Sequence, residues 1–201
     1  MGPAQDSAVG RAPVWSFVLR VVAWLAPCFA LWYFIAPWQA RVVAWIAKVL
    51  IGFDGQGLIA KLEFNDRLVT FVTTIDVHAG AQVGVLAPDV NPMVYTFGLP
   101  LFLALMLGCK ANWQRILVGI ALLLPFEAVS VAFDVLSQVV IKSGYEATVR
   151  SGYSSFGREI VALGYQLGSL ILPTVAPILA WGFLERKFVM EKILENAKEP
   201  S

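Results

Sequence analysis

The chain has 201 residues, of which 58% are hydrophobic and only 14% charged, with a mean hydropathy of +0.71. Soluble domains average roughly 45–50% apolar and about 25% charged residues, so a water-soluble fold could not hide this much apolar surface behind so few charges. The net charge of +1 points to no partner, and with no basic tract, no aromatic-basic interleaving and no zinc-type spacing the sequence does not support nucleic acid as a target.

The first apolar window covers residues 15–36 (WSFVLRVVAWLAPCFALWYFIA). Arg11 and Arg20 precede or open it, as in a signal peptide. The run is longer than a signal core and lacks a small-x-small cleavage site after it, so it reads as a retained signal-anchor helix. Arg20 is close enough to the start to snorkel to the headgroups. Trp32, Tyr33 and Trp38 mark an interfacial belt at the far end. Pro27 falls mid-helix, where a kink is expected.

Residues 37–91 differ in character. Residues 37–53 (PWQARVVAWIAKVLIGF) place Arg41 and Lys48 seven apart on one face and read as a separate interfacial helix. Asp54-Gly-Gln-Gly57 breaks it. A β segment then fills 58–87: LIAKLEF at 58–64, turn residues Asn65-Asp66-Arg67, and an alternating run at 68–78 in which Val69, Phe71, Thr73, Ile75 and Val77 share a face. A third strand is expected near 82–86.

Three more windows pass the span test: residues 92–107, short and interrupted by Gly98 and Pro100; residues 116–141, with Pro125, Glu127 and Asp134; and residues 160–184, with Pro173 and Pro177. The segment 142–159 reads as a loop, and 185–201 as a solvated tail. The expected fold is an α-helical integral membrane protein with four transmembrane helices and a small β-hairpin-containing extracytoplasmic insert between helices 1 and 2. The short loop with Lys110 and Arg115, and Arg186 and Lys187 of the tail, place both termini in the cytoplasm by the positive-inside rule.

Charge inside a bilayer is costly, so Glu127 and Asp134 are the candidate site residues. Ser130 and Gln138 share their helix face. One reading is a proton or cation site, or a charged contact to a partner helix. The plainer one is a polar stripe that packs the bundle, with Glu127 neutral or hydrogen-bonded to Gln166 or Tyr165. His78 is the lone histidine and has no companions at ligand spacing, so neither a metal nor a cofactor is expected. Cys28 and Cys109 read as apolar packing residues and no catalytic constellation stands out. Gly164-x-x-x-Gly168 permits close helix approach, within the chain or in a homo-oligomer.

The stretches NPMVYTFGLPLFLAL (91–105), LLLPFEAVSVAF (122–133) and EIVALGYQLGSLILPTVAPILAW (159–181), with Leu31-Trp32-Tyr33 and Ala36-Pro37, resemble the exosortase H-associated membrane proteins. The resemblance implies a bacterial inner-membrane protein that is a non-catalytic accessory of an exosortase, an intramembrane enzyme that processes sorting signals of exported proteins. It brings no catalytic residues with it. The competing reading from the residues alone is a small transporter or channel subunit using the Glu127/Asp134 stripe.

Overall fold

The computed structural model describes residues 7–54, 57–65, 67–79 and 82–197. Turn residues Gly55, Gln56 and Asp66, and Lys198 of the tail, lie outside the described residues, as does the side chain of His78.

Helix α1 spans Ser7–Ile51, 45 residues without interruption. At 1.5 Å per residue it is about 67 Å long, against about 30 Å of bilayer hydrocarbon. This corrects the expected boundary near Ala36 and the separate interfacial helix at 37–53. Pro37 removes one backbone donor, but Ala36, Ala40, Val43, Ala44, Ala47 and Ile51 form one continuous buried face across it. That face packs on α4 and the sheet and holds the helix together.

A 3-10 turn at Gly52–Asp54 ends α1. Strands β1 (Ile59–Asn65), β2 (Leu68–Thr73), β3 (Asp76–Ala79), β4 (Gln82–Val85) and β5 (Asp89–Val90) follow. They form an antiparallel sheet in the order β1-β2-β5 and a separate β3-β4 pair. Phe71 faces Leu62 and Phe64 faces Val69 across the first pair. The expected single run at 68–78 is two strands: it bends at Thr74–Ile75, where the Thr73 hydroxyl donates to Leu86 O (2.7 Å) and accepts from Ile75 N (3.2 Å). Val69, Phe71 and Thr73 point inward and are buried.

The rest is helical: α2 (Met93–Thr96), α3 (Gly98–Gly108), α4 (Trp113–Ser137), α5 (Gly144–Arg150), α6 (Ser155–Gln166), α7 (Leu172–Leu184) and α8 (Arg186–Ala197). A π-helical turn at Gln138–Lys142 extends α4, and another at Leu167–Ile171 joins α6 to α7. Asn112 caps α4 by accepting from Gln114 N. The expected loop at 142–159 holds α5 and the start of α6. Arg150 of α5 donates to Asp76 O at 3.0 Å, tying α5 to β3.

Three helical stretches are long and apolar enough to cross a membrane: Trp15–Ile51, Trp113–Lys142 and Ser155–Leu184. The apolar stretch Met93–Gly108 is shorter. One core joins the C-terminal half of α1 to the sheet and α4 around Val43, Phe71, Val131 and Val135. A second joins α3, α4 and α7 around Phe102, Leu123 and Ala176. Glycine sets the closest approaches. A Cβ on Gly164 would lie 2.3 Å from the Phe133 ring, and one on Gly168 would lie 3.0 Å from Ser130 Cα, so both glycines seat α6–α7 on α4.

Candidate functional site

Glu127 sits two residues after Pro125 on α4 and is 6% exposed. Its partner is Gln39 on α1, 8% exposed, whose Nε2 donates to both carboxylate oxygens at 2.9 and 2.8 Å. This corrects the expectation that Gln166 or Tyr165 would satisfy it: Gln166 is exposed, and the Tyr165 ring instead lies 4.6 Å under the Lys142 ammonium. Gln39 Oε1 has no hydrogen-bond partner.

A cavity about the size of one water molecule lies beside the carboxylate, with Tyr95, Gly98, Ser130, Pro173 and Pro177 in its wall. The Ser130 hydroxyl donates back along its own helix to Phe126 O at 3.0 Å and does not reach Glu127. The chemistry open to the pair follows from its donors. With a proton on Glu127 and the amide turned over, the acid hydroxyl donates to Gln39 Oε1 and satisfies it. Without that proton the carboxylate takes its donors from one amide.

Asp134 belongs to a second cluster nearer the sheet. Gln138 Nε2 donates to Asp134 Oδ1 (3.3 Å) and to Asp89 O (3.2 Å), and Tyr95 interacts with the Asp134 carboxylate from α2. Thr70 of β2 donates to the Asp89 side chain, so the cluster ties the sheet to α4. The stripe read from the sequence is therefore split. Glu127 and Ser130 face the cavity, Asp134 and Gln138 hold the sheet, and Gln166 joins neither. Gln39, Tyr95 and Asp89 were not singled out by sequence reasoning. Gln39 carried one usable signal, a lone uncharged polar residue on the Ala36–Ala40–Val43 face.

Among the described residues no group of three or more His, Cys, Asp or Glu could hold a metal ion. Cys28 and Cys109 are free thiols; Cys109 Sγ donates to Met106 O at 3.2 Å. At the opposite end of the bundle from the sheet, Arg115 Nη1 bridges both oxygens of Glu185 at 2.9 Å, joining the start of α4 to the end of α7.

The family model for exosortase H-associated membrane proteins matches residues 11–188. The chain belongs to this family. No curated protein and no solved structure matches it. In this exosortase H-associated membrane protein the matched region contains every polar residue described above, from Gln39 to Glu185, and all three long apolar helices. The family description makes the protein a membrane-embedded associate of the exosortase H system rather than the exosortase.

Proposed function

We propose that this protein is a non-catalytic accessory subunit of an exosortase-type sorting system, binding the sorting enzyme or its substrate in the bacterial inner membrane. The family match over residues 11–188 carries this reading. In it α1, α2–α3, α4 with its π turn, and α6–α7 cross the bilayer as four spans, with the sheet and α5 outside and both termini in the cytoplasm. Lys110, Arg115, Arg186 and Lys187 cluster at one end of the spans, which supports that orientation. The exposed apolar side chains along α4 and α6–α7, such as Leu122, Phe126, Leu170 and Phe183, suit lipid or a partner span. The sheet and α5 are the part that would meet a protein outside.

The test is purification from the native host through a tag on the C-terminal tail, in mild detergent. Stoichiometric recovery of the exosortase is expected. A homogeneous homo-oligomer without the enzyme would overturn the proposal. One observation favours the transporter-subunit reading, namely Glu127 beside a small cavity. The cavity is no larger than a water and its wall is mostly apolar, and Gln39 already occupies both carboxylate oxygens. Under that second reading E127Q and D134N abolish flux in liposomes; under the first they leave enzyme recovery intact.

A further inference from the structure

The adjoining ends of β1 and β2 lie against the middle of α1 rather than past its end. Lys48 Nζ donates to Ala60 O at 2.8 Å. Further along β1, the Arg41 guanidinium stands 5.9 Å from the Phe64 ring centre and 4.9 Å from that of Trp38. Past Asn65, the Arg67 guanidinium stands 4.7 Å from the Tyr33 ring centre and donates to its hydroxyl. Strand β1 thus runs back along α1 from Lys48 toward Tyr33, a rise of about 22 Å on the helix.

A strand end exposes backbone donors and acceptors, and hydrocarbon tolerates none of these where lipid can reach them. The two strand ends therefore mark where water and headgroups begin on this side of α1. Tyr33, Phe34 and Trp38 are 48%, 77% and 67% exposed at that level, and Phe64 and Leu68 of the hairpin are exposed beside them. Tyr and Trp gather at such a boundary because each joins an apolar ring to a polar O–H or N–H.

Two guanidiniums stand at this boundary, and neither forms an ion pair with a carboxylate among the described residues. A guanidinium carries several N–H donors, and the single bond from Arg67 to the Tyr33 hydroxyl leaves others on both side chains for an oxyanion. We propose that Arg41 and Arg67 bind the phosphodiester headgroups of anionic phospholipids in the leaflet on the sheet side, with Arg67 and Leu68 in the headgroup layer. A zwitterionic lipid carries the same phosphodiester but brings its own cation to compete for it. The proposal rests on α1 crossing the bilayer and does not depend on the partner enzyme, so failure to recover an exosortase leaves it standing.

The test uses the full chain in mixed micelles of phosphatidylglycerol and phosphatidylcholine, with retained lipid counted by native mass spectrometry. Wild type should retain phosphatidylglycerol in preference. R41Q and R67Q should each weaken that retention about fivefold, and the double variant about thirtyfold. R41K/R67K should keep part of it, because charge remains while the planar fork of donors is lost. Equal retention by wild type and the double Gln variant would overturn the proposal, as would equal retention of the two lipids. Displacement of phosphatidylglycerol by inorganic phosphate at matched concentration would assign the arginines to a free anion and overturn it too. A second measurement needs neither arginine changed. A spin label at Leu68→Cys, in a chain with Cys28 and Cys109 replaced by Ser, should report headgroup depth in vesicles; a label in bulk water refutes that placement of Leu68.

Discussion

Replacing Gln39 by Leu removes both hydrogen bonds to Glu127 at once, because one amide nitrogen supplies them at 2.9 and 2.8 Å. No other side chain is hydrogen-bonded to this carboxyl group among the described residues, and both partners are more than nine-tenths buried. A buried group left unsatisfied costs about 1–3 kcal/mol. Interhelical hydrogen bonds in membrane proteins give smaller values, with a maximum of about 1.7 kcal/mol. Q39L should therefore destabilise the fold by about 1–1.7 kcal/mol. E127Q keeps an acceptor for the Gln39 amide and should cost less than about 1 kcal/mol. E127L alone strands the amide of Gln39, whereas Q39L/E127L leaves two apolar side chains of similar size facing each other. The double variant should thus be more stable than the sum of the single changes implies, with a coupling of about 1–2 kcal/mol. Reversible unfolding in mixed micelles, followed by far-UV circular dichroism, measures all four proteins. Strict additivity would refute the reasoning, since it would mean that the two side chains do not sense each other.

Gly98→Ala should destabilise more than an ordinary helix glycine, because its Cβ would lie 2.4 Å from the Pro173 carbonyl oxygen and backbone must move; a lowered unfolding temperature in detergent checks this. Phe71→Ala empties a fully buried position between sheet and bundle and should cost about 3–5 kcal/mol, read as early protease cutting of the sheet. Glu185→Arg should destabilise the junction of α4 and α7, and Arg115→Glu in the same chain should restore part of the loss, since one Arg115 nitrogen holds both carboxylate oxygens. Burial pushes the Cys109 thiol above its ordinary value of 9.0. The thiolate that reacts with alkylating agents is therefore scarce at neutral pH. Maleimide labelling of a Cys28→Ser chain should be slow when folded, accelerate as pH rises, and complete quickly on unfolding.

Much of the architecture was legible because its signals are local. Alternation put Val69, Phe71 and Thr73 on one face, and all three are buried. The glycine pair at 164 and 168 announced a close approach, which α4 supplies through Phe133 and Ser130. What was not legible depends on partners distant in sequence. The aromatic cluster and Pro37 suggest a helix end, yet the alanine-rich face continues past it and packs on elements made later, so α1 runs on to Ile51. The Gly- and Ser-rich segment after Lys142 looks like a loop, but Ala147 is buried in the main core and organises α5. Glu127 stood out by its charge, whereas Gln39 carries none, and its role emerges only when α1 and α4 are laid together.

The Gln39–Glu127 bond also sets an order of events at the ribosome. The two residues are 88 positions apart, and at about 5–20 residues per second that separation lasts roughly 4–18 s. During that interval the first helix has left the translation machinery with an amide whose counterpart has not yet been made. Biogenesis of this protein therefore has two stages, and the N-terminal helix stays incompletely matched until α4 is delivered beside it. A chain truncated after α3 would remain at the first.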